Sequence, residues 1–329
     1  MSGVRPDGSA PCHRPIAPPA SGKHENGEQE YEMTGAWKQF ATLIAITLAM
    51  PAPAAEAPQS PPSAPPATEG YTMPSTQAWD MTSDSGEVYR IFVSFPGTEA
   101  PDDGYPVLYV LDGNAMFAGF AEARRIQEYY DVGKTIVVGI GYPTDQAYDA
   151  RRLNDYTPPL LDPPPTIYRS LAKYRSGGRA AFLDFLTGKL RTEIGQRYRI
   201  NPERQALFGH SLGGLFGLYA LYTQPQAFQS IVAASPSLEW NEQGVLREER
   251  EFMARLASGK VGRTSHLMVV VGGRDVDDDP YMAEAFVRRM DPLSGHGLRV
   301  RFLRYEDEGH MSVPARAVTD TLRFVSESR

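Results

Sequence analysis

ALFGHSLGGLFGLYALY, residues 206–222, decides how the rest of this chain is read. The apolar run Ala206, Leu207, Phe208 predicts a strand, and Leu215, Phe216, Leu218, Tyr219 and Leu221 recur at helical spacing from Leu212 to Tyr222. Between the two lies Gly209-His210-Ser211-Leu212-Gly213, a G-x-S-x-G pentapeptide at a strand-to-helix turn. A serine in so sharp a turn has a strained backbone and needs small neighbours, which Gly209, Gly213 and Gly214 supply. Such a turn lifts the Ser211 hydroxyl above the edge of a sheet. It also aims the Leu212 amide, at a helix N-terminus, to where negative charge would develop on an attacked carbonyl. One turn thus offers a candidate nucleophile and half of an oxyanion hole.

Outward from this turn, strands and helices alternate. Strand patterns occur in Gly86 to Pro96, Pro106 to Leu111, Thr135 to Ile140, Ser230 to Ala234, His266 to Val271 and Leu298 to Tyr305. Helical patterns occupy Ala115 to Tyr130, Gly177 to Tyr198, a stretch ending near Ala257, Met282 to Met290 and Val313 to Val325. Continuous apolar strands such as Pro106 to Leu111 suit burial on both faces. The alternation predicts an α/β fold: a mostly parallel, doubly wound sheet with helices on both faces, in a single catalytic domain over residues 71–329.

The first seventy residues read differently. Residues 1–32 carry Glu25, Glu28, Glu30 and Glu32 and form a disordered or misassigned extension, with Met33 a plausible true start. Residues 33–57 have the layout of a secretory signal peptide: Lys38, an apolar stretch from Phe40 to Met50, then small residues to Ala57. That stretch is shorter than the roughly twenty residues a bilayer span needs. Residues 58–70 are a proline-rich linker. Cleavage after Ala54 or Ala57 would deliver a periplasmic protein, and with no cysteine after the apolar segment no stable membrane anchor is expected.

Composition removes several classes of function. A net charge of −7, with no basic stripe, argues against nucleic acid. The single cysteine, Cys12, lies in the N-terminal extension, so disulfides and cysteine chemistry drop out. The histidines are scattered rather than paired at zinc spacing, and Asp277, Asp278 and Asp279 lack the glycine and distal glutamate of a calcium loop. Neither metal nor cofactor is expected. The oligomeric state stays open.

A serine nucleophile requires a base and an acid, in this arrangement ordered serine, acid, histidine along the chain. His310 follows the last strand through the loop Glu306, Asp307, Glu308, Gly309; His266 and His296 sit at or before strand starts, away from the carboxyl ends where sites assemble. Asp275, after the strand His266 to Val271, is placed to orient the imidazole, with Asp277 and Asp278 as competitors. The loop after Pro106 to Leu111 offers the amides of Gly113 or Asn114 as a second oxyanion donor. Arg151 and Arg152, with Tyr156 and Trp240 as stacking partners, would suit an anionic, planar substrate.

These features together resemble the siderophore esterases among the α/β hydrolases, which open the trilactone of enterobactin-type catecholate siderophores. The resemblance rests on YPVLYVLDGNAMF (105–117), RLNDYTP (152–158), GGRAAFLDF (177–185), LFGHSLGGLFGLYAL (207–221), FQSIVAASPSLEW (228–240) and YEDEGH (305–310). It implies the α/β-hydrolase fold, Ser211 as nucleophile, His310 as base, Leu212 with the Gly113–Asn114 loop as oxyanion hole, and Arg152 as a contact to catecholates. The implied substrate is a ferric catecholate siderophore, and the exported, periplasmic members are the nearest in kind. Relatives often carry glutamate after the late strand where Gly273, Arg274 and Asp275 stand here, and some work with a serine-histidine pair, so the acid is the least determined member. A broader carboxylesterase or an acyltransferase on the same scaffold is the alternative.

Overall fold

The structure is a computed structural model that describes residues 71–262 and 264–327. The extension with Cys12, the signal segment and the linker all lie outside the described residues. Eight strands form one sheet: β1 (Thr76–Thr82), β2 (Val88–Ser94), β3 (Tyr105–Leu111), β4 (Ile136–Gly141), β5 (Ile200–His210), β6 (Ser230–Ala234), β7 (His266–Gly272) and β8 (Arg299–Tyr305). Their spatial order is β1-β2-β4-β3-β5-β6-β7-β8. β2 runs antiparallel to both β1 and β4, and every pairing from β4 to β8 is parallel. This is the α/β-hydrolase arrangement.

The period of two along each strand sorts the core into two layers. Val107, Tyr109, Leu207, Ile231 and Val269 point to one face, where they meet Phe182 of α3 (Arg179–Phe185), Phe216 of α5 (Leu212–Thr223), Phe252 of α6 (Val245–Ala257) and Phe286 of α7 (Pro280–Met290). Leu108, Val110, Phe208, Val232 and Val270 point to the other, against Phe120 of α1 (Gly113–Ile126) and Val313, Leu322 and Phe324 of α8 (Val313–Glu327). Both faces are covered, which is why the central strands read as unbroken apolar runs.

Three elements depart from the sequence expectation. β1 was not anticipated, because an edge strand with no fully buried position carries Thr, Gln and Asp where a central strand carries Val or Ile. It is held by a tight turn in which Gly86 takes φ 87° and Ser83 Oγ accepts the Glu87 N–H at 3.1 Å. The helix expected from Gly177 to Tyr198 is α3, a π-helical turn (Leu186–Leu190), then α4 (Arg191–Arg197), with Leu186 and Leu190 both buried in the core. The helix expected to end near Ala257 starts at Val245, behind an irregular turn where Asn241 and Glu242 have positive φ. A short helix, α2 (Arg152–Tyr156), lies between β4 and α3.

From β3 the chain crosses to β4 on one side and returns to β5 on the other. That reversal opens a crevice at the carboxyl ends of β3 and β5, where the loop beginning at Asp112 and the turn at Ser211 emerge side by side.

Candidate active site

Ser211 leaves β5 with φ 59° and ψ −120°, a conformation a residue with a side chain adopts only under constraint. The constraint is visible in its backbone partners. Its N–H donates to the Ala234 carbonyl at 2.9 Å, and its carbonyl accepts from Leu215 at 3.0 Å and from Ser237 at 3.2 Å. A Cβ on Gly209 would stand 2.1 Å from the Gly213 carbonyl oxygen, and one on Gly214 3.0 Å from Pro236 Cα. Gly213 differs: the nearest atom to a Cβ there is Leu111 Cδ1 at 3.5 Å, ordinary contact, so the turn demands two of its three glycines.

His310 emerges from the loop after β8, and its Nδ1 lies 3.0 Å from Asp275 Oδ2 and 3.6 Å from Asp278 Oδ2. Asp275 is fixed in turn by the backbone N–H groups of Asp277 and Asp278, both 3.0 Å from its Oδ1. Burial disfavours charge on both partners, yet their mutual hydrogen bond wins. The His310 imidazolium is held above the usual histidine range by Asp275, with the charges of Asp278 and Asp277 adding, and the Asp275 carboxyl is held below its usual value. An Nδ1–H given to a carboxylate directs the lone pair to Nε2, the atom a general base needs. Among the described residues, Asp275, Asp277 and His310 are the one group whose ligand-type atoms converge, within 4.8 Å, and in it the His310 Nδ1 is already hydrogen-bonded to Asp275.

The candidate oxyanion donors sit at two helix starts. Leu212 opens α5, while Gly113 and Asn114 open α1, so their N–H groups have no carbonyl one turn back in their own helix. Gly113 is required by packing: a Cβ there would stand 2.9 Å from the backbone of Gly139 and Ile140 in β4. Asn114 pins the loop after β4, donating to the carbonyls of Tyr142 and Thr144 at 3.0 and 2.8 Å and accepting the Tyr142 N–H at 2.8 Å.

The model of the family Esterase, described as "Putative esterase", matches residues 83–292, which include the strained serine. The ferri-bacillibactin esterase BesA of Bacillus subtilis is 35% identical over 268 residues, 78% of this chain and 91% of the relative. The chain belongs to the esterase family. The siderophore enterobactin esterase of Emericella nidulans is 33% identical to this esterase over 284 residues, 76% of this chain and 93% of the relative. The crystal structure of the BES protein from Bacillus cereus superposes with a TM-score of 0.70 at 33% identity, covering 78% of this esterase and 98% of that chain.

Three of the four side chains expected at the substrate are taken up in internal contacts within this esterase, and the fourth, Arg151, stays partly open. Arg152 gives its Nε and Nη2 hydrogens to the two oxygens of Asp112, at 2.8 and 3.0 Å, with only 15% of its side chain exposed. Burial works against that cation, but the Asp112 charge and hydrogen bonds hold it well above its ordinary value. Asp112 is the N-cap residue of α1, at φ 52°, so the ion pair braces the loop that carries Gly113 and Asn114. Tyr156 has no exposed surface on which a ring could stack; its hydroxyl accepts the Asp112 N–H at 3.1 Å. Trp240 is buried against Tyr168, ring centres 4.7 Å apart. Arg151 is the most open of the four, at 37%, with its guanidinium 4.7 Å from the Tyr142 ring centre. It lines a cavity of about 200 Å³ together with Lys173, Tyr174 and Arg175.

Two residues that the sequence did not single out touch the catalytic group. His210, within the pentapeptide, donates its Nε2–H to the His310 carbonyl at 3.0 Å, and the two rings lie 4.6 Å apart. Burial first, then the neighbouring His310 and Arg152 cations, holds it well below the usual histidine range, so it is a neutral brace. Ser237 places its Oγ 3.2 Å from Ser211 Oγ. Its signal was present in the motif ASPSL, but nothing local says which of two serines turns toward the nucleophile.

Proposed function

We propose that this ester hydrolase is an exported, periplasmic siderophore esterase that cleaves the ester bonds of ferric catecholate trilactones of the enterobactin type, releasing iron by destroying the chelate. The observation that carries the chemistry is the strained Ser211 at the start of α5 together with the His310–Asp275 hydrogen bond. The substrate class is supported by relatives named for ferri-bacillibactin and for enterobactin, both matched over more than 90% of their length. Arg151, with Lys173 and Arg175 at the same cavity, brings positive charge for an anionic complex, partly offset by Asp155 and by Glu87, which pairs with Arg175 at 2.9 Å. Export rests on the signal-like segment 33–57.

In this reading the residues act in turn. Ser211 Oγ attacks the ester carbonyl as its proton passes to His310 Nε2, and Asp275 stabilises the imidazolium that forms. The carbonyl oxygen takes negative charge within reach of the Leu212 N–H and the Gly113–Asn114 donors. Collapse breaks the bond to the alcohol, which leaves with the His310 proton. Water then attacks acyl-Ser211, giving its proton to His310, and the acid departs with Ser211 restored.

Two measurements test this reading. Ser211→Ala should lower kcat by about three orders of magnitude or more while ferric siderophore still binds; residual turnover within tenfold of wild type refutes the nucleophile. Rates on ferric enterobactin should exceed those on short p-nitrophenyl esters by at least an order of magnitude in kcat/KM; the reverse order establishes the broader carboxylesterase instead.

A further inference from the structure

One buried arm beside the nucleophile has no part in the mechanism above. Ser237 grips Ser211 twice: its backbone N–H donates to the Ser211 carbonyl at 3.2 Å, and its Oγ stands 3.2 Å from Ser211 Oγ. The Ser237 hydroxyl donates to Asp278 Oδ2 at 3.1 Å, and that same oxygen lies 3.6 Å from His310 Nδ1. Asp278 therefore reaches the base directly and the nucleophile through one hydroxyl. The loop is bent to bring this about. Ser235 takes φ 38° with its N–H on the Val270 carbonyl at 2.7 Å, and Pro236 presses on Gly214, where a Cβ would stand 3.0 Å away.

We propose that Ser237 is a further catalytic residue of this esterase, holding the Ser211 hydroxyl in its attacking rotamer, and that Asp278 is the positioning residue that orients Ser237. The inference rests on the reading of Ser211 as nucleophile. A hydroxyl has one proton. With that of Ser237 given to Asp278, Ser237 accepts the one Ser211 proton in the resting site and so fixes the position of Ser211 Oγ; the proton turns to His310 Nε2 as attack begins, with Oγ held in place. Such pre-ordering matters because a misplaced nucleophile loses rate without losing substrate affinity. Burial, with the charges of Asp275 and Glu239 adding and His310 opposing, pushes Asp278 up to about 7. Two carboxyl groups beside one imidazole thus need not both be charged. Tyr168 also feels the charge of Asp278, while Asp277, next to it on the loop, feels His310 and Asp275.

The test uses the full chain with Ser237→Ala, Ser237→Thr and Asp278→Asn. It reads kcat and KM on p-nitrophenyl acetate, the rate of labelling by a fluorophosphonate with the labelled residue mapped by mass spectrometry, and the pH profile of kcat/KM. Ser237→Ala should lower both kcat and the labelling rate fivefold or more with KM within twofold, and Ser237→Thr should restore most of the loss. Asp278→Asn should move the acid limb of kcat/KM to lower pH, since it removes a charge that supports protonated His310. A merely structural residue would not move that limb. A smaller effect of Ser237→Ala, a loss that threonine does not restore, or an unmoved acid limb overturns the proposal. If Ser237→Ala does not fold, the labelling rate of Asp278→Asn decides, and a rate within twofold of wild type overturns the proposal. Labelling of wild type at a residue other than Ser211 overturns the nucleophile reading and this arm together, whereas labelling of Ser211 in Ser237→Ala at the wild-type rate overturns only the arm.

Discussion

Arg152→Ala separates the two roles open to this arginine, a substrate contact on the surface and a brace inside the fold. Its guanidinium makes a two-point contact with Asp112, and 15% and 2% of the two side chains are exposed. Removing the cation leaves a buried carboxylate without its partner, a loss of about 3–5 kcal/mol. For a domain of this size each kcal/mol moves Tm by about 2–4 °C, so Tm should fall by roughly 6–20 °C. Asp112 occupies the N-cap position of α1, directly before the proposed Gly113 and Asn114 donors, so kcat on a neutral p-nitrophenyl ester should fall together with kcat on ferric siderophore. Arg152→Lys keeps the charge but loses the fork, and should lie between. The double variant Arg152→Met with Asp112→Asn should recover part of the lost Tm, because no unpaired charge remains. Thermal melting by circular dichroism and steady-state rates on the two substrates are the assays. A Tm within about 2 °C of wild type, with KM raised for the siderophore alone, would refute the brace and return Arg152 to the substrate.

Asp275→Asn should slow turnover by about two orders of magnitude or more, and should shift the acid limb of kcat/KM to lower pH, because Asp275 is the main support of protonated His310 and the base must be neutral to act; an unchanged rate and limb would mean that a serine-histidine pair suffices. Gly209→Ala should cost about 3 kcal/mol of stability, since its Cβ meets the Gly213 carbonyl at 2.1 Å, whereas Gly213→Ala should melt no lower than wild type; equal melting of the two variants would contradict the elbow geometry. N-terminal sequencing of protein recovered from the periplasm should find a start near Ala55 or Pro58; an intact Met1 on protein found in the cytoplasm would refute export.

What the sequence determined by itself is whatever short-range chemistry enforces. Apolar runs in Pro106 to Leu111 and Ser230 to Ala234 have only one home, the middle of a sheet covered on both faces, and the G-x-S-x-G turn has only one way to follow a strand and begin a helix. Chain order then placed Ser211, Asp275 and His310 at the carboxyl ends of three parallel strands. What remained open was decided by contacts between residues far apart in the chain. Asp275, Asp277 and Asp278 are near-equivalent by position, and the structure separates them: two backbone N–H groups hold Asp275 against His310 Nδ1, while Asp278 turns to Ser237. Arg152 meets Asp112 across 40 residues, so its reading as a surface cation required knowledge of a carboxylate that no local pattern brings near. β1 escaped for the opposite reason, since an edge strand obtains its order from the neighbour it pairs with and leaves little hydrophobic trace of its own. Local pattern thus specifies where backbone goes, because the period of burial is written residue by residue. Side-chain partnership across the crevice is specified only once β3, β5, β6, β7 and β8 stand side by side, because hydrogen bonds and buried charges depend on distances of a few ångströms between loops that the sequence keeps far apart.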